Sequence, residues 1–130
     1  MSGGKVMIVD DDMTVVQGMT MLLETEGIAA CGTCSPFEVP LLLKREQPDV
    51  VLLDLQMPAL RGEAMLQLAR EKAMIGNARV VLFSGRSSHE LSELTERIGA
   101  DGYVCKSEDT DQILRRIHFW IRQSHSGDAA

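Results

Sequence analysis

At 130 residues, with 45% hydrophobic and 25% charged residues, the sequence has the composition of one globular domain, long enough to bury roughly two thirds of the surface its unfolded chain exposes. A net charge of −6 argues against a nucleic-acid surface on this chain, since affinity there comes from cations that neutralise phosphates. No apolar run nears the roughly 18 residues of a membrane span and no signal pattern opens the sequence, so a cytoplasmic protein is expected.

Three cysteines make an odd count without a disulfide framework, in keeping with a reducing compartment. Eight methionines are expected to share the filling of the core with Leu, Val and Ile.

Residues 6–9 (Val-Met-Ile-Val) form a continuous apolar run ended by Asp10, Asp11 and Asp12, which reads as a strand buried on both faces with acids at its carboxyl end. Over residues 13–26 the apolar positions Val15, Val16, Met19, Leu22 and Leu23 recur at helical spacing, with Asp12 placed as the cap and Gly27 as a left-handed stop. Residues 28–32 are a short, weakly marked second strand. Ser35-Pro36-Phe37-Glu38 has the pattern of a capping box, but Pro40 one turn inside conflicts with a straight helix from that start. The second helix therefore either bends or begins near Pro40.

Val50, Val51, Leu52 and Leu53 are too few for a buried helix and read as the central strand, ending in Asp54 and followed by the Met57-Pro58 turn. Residues 63–72 form a third helix, punctuated by Gly76-Asn77. Residues 80–83 are a fourth buried strand ending in Ser84-Gly85. Residues 87–98 are a polar helix with a thin inner stripe of Leu91, Leu94 and Ile98, closed by Gly99. Gly102 to Cys105 is the fifth strand, ending in Lys106. The last helix starts at Asp109-Thr110-Asp111-Gln112 with Ile113, Leu114, Ile117 and Ile121 inward, and Arg115, Arg116 and Arg122 are assigned to the end where the helix dipole favours cations. The polar segment after Gln123 reads as a flexible tail, giving a domain over 1–123 and a tail over 124–130.

Alternating strands and helices at this spacing predict an α/β fold: a doubly wound five-stranded parallel sheet in the order 2-1-3-4-5 with five helices. That order brings Asp10, Asp11 and Asp54 to one rim at the carboxyl ends of adjoining strands. Clustered carboxylates cannot all ionise without a counter-charge, and oxygen-only ligands suit a hard divalent cation such as Mg²⁺. The fourth and fifth strands bring the Ser84 hydroxyl and the Lys106 ammonium to the same rim. A carboxylate nucleophile, a metal, a hydroxyl and a lysine are the parts needed to hold a transferring phosphoryl group.

The sequence resembles a two-component response-regulator receiver domain, chemotaxis-regulator-like, with a flavodoxin-like fold, over residues 5–122. The resemblance is carried by Val9-Asp10-Asp11-Asp12, Asp54-Leu55-Gln56-Met57-Pro58 with Gly62, Ser84-Gly85, and Gly99-Ala100-Asp101-Gly102-Tyr103 leading to Lys106. It implies a phospho-acceptor signalling domain that takes a phosphoryl group on Asp54 from a histidine kinase or phosphotransfer protein. It implies Mg²⁺ (or Mn²⁺) bound by Asp10, Asp11, Asp54 and the Gln56 carbonyl, and a phosphate held by Ser84 and Lys106. Ser84 and Tyr103 would form the switch, Gln56 and Arg86 would tune dephosphorylation, and a downstream partner would read the face of the fourth helix, fifth strand and fifth helix. No separate enzymatic activity is expected beyond self-phosphorylation and autodephosphorylation. With no output domain after the fifth helix, the chain reads as a stand-alone regulator or a receiver excised from something longer.

Two positions depart from the family pattern. Arg61 stands where Asp is usual, and Ser107 stands where a proline normally follows the lysine. Because a non-proline cis peptide costs about 3–4 kcal/mol, the Lys106–Ser107 link is expected to be trans, which puts the reach of Lys106 in question. These departures motivate a rival reading, a receiver-like docking module that works without phosphate. A second rival rests on Cys31-Gly32-Thr33-Cys34, a thioredoxin-like C-x-x-C that requires an acidic thiol. Its place after the edge strand counts against it. His89, His118 and His125 read as surface residues, and Asp12 as a cap and not a ligand.

Overall fold

The computed structural model describes residues 4–54 and 78–129. Its elements are β1 (Lys5–Val9), α1 (Met13–Thr25), β2 (Ala29–Thr33), a 3-10 turn (Pro36–Glu38), α2 (Val39–Glu46), β3 (Val50–Leu53), β4 (Arg79–Ser84), α3 (Ser88–Ile98), β5 (Gly102–Cys105) and α4 (Thr110–Ala129). The expected helix over 63–72 lies outside the described residues, as do Gln56, Arg61 and Gly62, so α3 and α4 are the fourth and fifth helices of the sequence reading.

The five strands form one sheet in the order β2-β1-β3-β4-β5, and every pairing is parallel. Side chains alternate across a strand, so each apolar run feeds two cores. Val6, Ile8, Val50, Leu52, Val81 and Phe83 pack with α1 and α4 on one face. Met7, Val9, Val51, Leu53, Val80 and Leu82 pack with α2 and α3 on the other. This double coverage is why the inner strands read as unbroken apolar stretches. Among the described residues, Met7 and Met19 are buried, whereas Met13 and Met21 are exposed.

Local signals set most helix ends. The Asp12 carboxylate caps α1 by accepting from the Thr14 N–H at 2.9 Å. Gly27 and Gly99 take left-handed φ angles of 79° and 76°. Ser87 and Glu90 form a reciprocal capping box at the start of α3. The box expected at Ser35 does not form. Ser35 makes no side-chain cap bond, because the Glu38 carboxylate accepts from the Thr33 hydroxyl instead. The helix begins after that turn with Pro40 in its opening turn, where a missing N–H costs no hydrogen bond.

Two expectations at the C-terminus need correction. The segment taken as a flexible tail continues α4 to Ala129. Its first two residues find partners: Ser124 is buried and its hydroxyl donates to the Ile121 carbonyl at 2.9 Å, and His125 Nε2 lies 3.1 Å from Asp49 Oδ1. The Arg79 guanidinium also donates to the Gln123 carbonyl at 2.9 Å. With the helix this long, Arg115 and Arg116 sit near its beginning, and α4 has no basic residue in its last turn. Their positions follow from side-chain pairing (Arg115 with Gln112, Arg116 with Glu108) and not from the helix dipole.

Where β5 passes α4, the backbone approaches the Trp120 indole so closely that a Cβ on Gly102 would overlap the ring. Phe119 braces that indole in an edge-on contact, with ring centroids 4.9 Å apart. Gly102→Ala is therefore expected to lower the unfolding free energy by about 1–3 kcal/mol through overpacking. Denaturant unfolding checks this, and an unchanged midpoint would mean that the indole yields freely.

Candidate functional site

Neighbouring strands lie about 4.8 Å apart, so residues that follow paired strand ends become neighbours. Val9 pairs with Leu53, and the Asp54 N–H donates to the Val9 carbonyl at 2.9 Å. Asp10 and Asp54 thus stand side by side at the carboxyl edge. Both are almost wholly buried, at 1% and 2% exposure. Asp11, next in the chain, is exposed. One carboxylate oxygen from each of Asp10, Asp11 and Asp54 falls within 4.8 Å of the others.

Burying carboxylates without compensation is costly, and the fold compensates with Lys106. Its ammonium lies 2.7 Å from Asp10 Oδ2 and 3.6 Å from Asp54 Oδ2, while its charge also sits over the Phe83 ring, 5.5 Å from the centroid. The other Asp10 oxygen accepts from the Asp12 N–H at 2.9 Å. Asp12 itself is engaged in capping α1, as its sequence context predicts. In formal charge, three carboxylates against one ammonium leave the pocket two charges short of neutrality, and the oxygen donors match a hard divalent cation.

The Lys106–Ser107 link is trans, there being no cis peptide among the described residues. Lys106 nevertheless reaches both acids. Its own N–H donates to the Ser84 carbonyl at 2.8 Å, so the main chain joins the ends of β4 and β5. Ser84 is fully buried. Its hydroxyl oxygen accepts from the Arg86 N–H at 3.2 Å. The Arg86 side chain lies 3.8 Å from Glu90, one helical turn on.

Tyr103 is half-buried on β5 opposite Leu82. It lines an open groove of about 450 Å³ together with Gln112, Arg115, Arg116, Phe119 and Trp120. The structure thus brings Asp10, Asp11, Asp54, Ser84 and Lys106 to one rim, and sets Tyr103 at the outer edge of the sheet. Gln56 lies outside the described residues. The sequence reading overlooked the second contact of Lys106, with Asp10, and the Glu108–Arg116 pair in the turn after β5. Neither has a local signature, because both depend on how the fifth strand meets its neighbours.

Cys31 and Cys34 are free thiols. Burial pushes the Cys31 thiol above its ordinary value, and the Glu46 carboxylate adds to the shift. That is the wrong direction for a catalytic dithiol, whose attacking sulfur must ionise easily. Iodoacetamide is expected to alkylate Cys31 at neutral pH more slowly than a free cysteine, as read by peptide mapping. A rate equal to or above that of free cysteine would restore the redox reading.

Lys106→Met keeps much of the side chain but removes the charge shared by two buried acids. The variant is expected to lose about 1–3 kcal/mol of stability near neutral pH, less than a fully buried pair would because Lys106 is partly exposed. Denaturant midpoints of the two proteins measure the loss, and equal midpoints would show that Asp10 and Asp54 do not depend on the ammonium.

Comparison with known proteins agrees with this arrangement. Residues 6–118 match the family model of the response regulator receiver domain. The transcriptional regulatory protein MctR of Rhizobium johnstonii is 34% identical over 115 residues, covering 87% of this chain and 53% of that protein. The nitrate/nitrite response regulator NarL of Escherichia coli is 34% identical over 116 residues, covering 87% and 52%. The chain thus spans about half the length of these curated relatives. Among solved structures, the receiver domain of Francisella response regulator 1452 superposes with a TM-score of 0.78 at 26% identity, covering 93% of this chain and 98% of that one. A response regulator receiver protein from Burkholderia phymatum gives 0.77 at 28% identity, covering 92% and 95%. The family match reaches into all five strands and into α4, and the shared fold carries an acid-lined strand edge suited to a phosphoryl group: the chain belongs to the response regulator receiver domains, phospho-acceptor modules of two-component signalling.

Proposed function

We propose that Asp54 is the phospho-acceptor and that the donor is the phosphohistidine of a histidine kinase or phosphotransfer protein. The observation that carries this reading is the shared lysine: one ammonium within 2.7 Å of Asp10 and 3.6 Å of Asp54, at an edge where three carboxylates converge. Asp10, Asp11 and Asp54, with the Gln56 carbonyl, would hold Mg²⁺ (or Mn²⁺), which when bound supplies the positive charge that a transferring phosphoryl group requires.

An Asp54 oxygen attacks phosphorus in line, forming the acyl phosphate as the phosphorus–nitrogen bond of the donor breaks. The imidazole leaves with that electron pair and holds a proton. Lys106 passes from the free carboxylates to the new phosphoryl oxygens, a short movement for an ammonium on a flexible stem. The Ser84 hydroxyl gives up the Arg86 N–H and donates to the phosphoryl group, and Tyr103 follows into the space it leaves. Gln56 and Arg86 would tune the water attack that returns phosphate and the free acid. No second substrate enters the cycle.

The partner that reads the phosphorylated state docks on α3, β5 and α4, where the groove beside Tyr103 offers aromatic surface and arginine donors. The acidic chain neither binds nucleic acid itself nor contacts membrane, and it works in the cytoplasm. Among the described residues no helix is long and apolar enough to cross a bilayer.

Acetyl phosphate with Mg²⁺ should add the mass of one phosphoryl group to the intact chain, and the gain should vanish in Asp54→Asn or without the divalent ion. No gain from acetyl phosphate or from any phosphorylated kinase would leave only phosphate-independent docking.

A further inference from the structure

The turn carrying Lys106 is closed by a carboxylate that never reaches the rim. Four residues (Lys106, Ser107, Glu108, Asp109) separate β5 from α4. The Glu108 N–H donates to the Cys105 carbonyl at 3.2 Å. In return the Glu108 carboxylate accepts from the Cys105 N–H at 3.3 Å. Both ends of the turn are thereby tied through one residue.

The same carboxylate is gripped from outside. Arg116 Nε lies 2.9 Å from each Glu108 oxygen, and Arg116 belongs to a helix whose start is pinned by Asp109, which accepts from the Gln112 N–H at 2.8 Å. One Nε–H is shared by both carboxylate oxygens, a charge-assisted contact that centres the guanidinium on the carboxylate. The turn contains no proline to fix a backbone angle, and between the Lys106 N–H bond to the Ser84 carbonyl and the Asp109 cap of α4 its side-chain closure comes from Glu108. Yet Lys106 must hold an ammonium against two particular carboxylates on β1 and β3.

We infer that Glu108, braced by Arg116, is a positioning residue for Lys106: the pair fixes the backbone from which the lysine reaches the acidic edge, and so sets the rate of phosphoryl transfer without touching the reacting atoms. The kinetic half of this rests on Asp54 being the acceptor; the geometric half does not. Glu108→Ala removes the brace, Glu108→Gln keeps an oxygen for the Cys105 N–H but not the charge, and Arg116→Lys keeps the charge but not the planar fork.

Two measurements on the full chain decide the matter. The first is the rate of reductive methylation of Lys106, followed by peptide mass. A lysine no longer aimed at Asp10 is expected to react about threefold faster or more in Glu108→Ala, with Glu108→Gln and Arg116→Lys between it and the parent. The second is the rate of acetyl phosphate labelling. It is expected to fall about three- to tenfold in Glu108→Ala, and to show no further fall when the same change is made in Lys106→Ala, as for residues acting through one group. A purely structural role would slow both backgrounds alike. Equal methylation of Lys106 in Glu108→Ala and the parent overturns the inference, as does an undiminished kinetic effect in the Lys106→Ala background. Should the parent chain accept no phosphate at all, the acceptor reading fails, and the methylation rates still decide whether Glu108 positions the lysine.

Discussion

Everything at the working edge of this protein depends on one ammonium shared between two buried acids. Asp10 and Asp54 are each almost free of water contact, and desolvating a carboxylate costs several kcal/mol unless charge and hydrogen bonds are supplied. Lys106 supplies the charge to both. One lysine cannot neutralise two buried carboxylates and a third at the surface, so the pocket retains a negative surplus. That surplus of oxygen donors is of the kind that suits a hard divalent cation.

Strand order converts this local balance into a site. β1 and β3 are paired in the middle of the sheet and end in acids, while β4 and β5 follow on one side and end in a hydroxyl and a lysine. Parting β1 from β3, or moving β4 and β5 away from that pair, would carry one of these groups away from Asp54. Because both faces of the sheet are covered by helices, the strands have no freedom to shift register without moving apolar side chains from one core to the other. The four strand ends are therefore held by packing far from the chemistry, and the polar groups at the edge inherit that rigidity.

Much of this is legible in the sequence because burial on both faces leaves unbroken apolar runs, and Val50–Leu53 has the same bounds in the reading and in the structure. Single-residue signals also sufficed where one backbone conformation or one cap decides the matter, as at Asp12, Gly27 and Gly99. Local patterns misled where a tertiary partner competed. Glu38 sits correctly for a box with Ser35, but the Thr33 hydroxyl at the end of β2 takes its carboxylate. The polar composition after Gln123 suggested a loose tail, yet Asp49 and Arg79, both distant in sequence, hold the helix there. The Ser87–Glu90 capping box was readable by the same rule that misled at Ser35. The difference is that the Arg86 guanidinium meets the other Glu90 oxygen and leaves Oε1 to Ser87.

The edge also distinguishes what can move from what cannot. The main chain of Ser84 is bound to that of Lys106, and the Arg86 carbonyl accepts from the Cys105 thiol at 3.2 Å, so the loop after β4 is tied to β5 on both sides of the serine. The backbone at this edge is thus doubly anchored. Two side-chain groups are held differently: the lysine ammonium by its hydrogen-bonded ion pair with Asp10, the Asp54 carboxylate and one aromatic face, and the serine hydroxyl by a single N–H. Tyr103 lies on the same strand as the thiol that ties the loop, at the margin of the groove against α4. The same loop is tied to α3 as well, through the Ser87 cap and the Arg86–Glu90 pair, so the sheet edge and the helix beside it share one constraint.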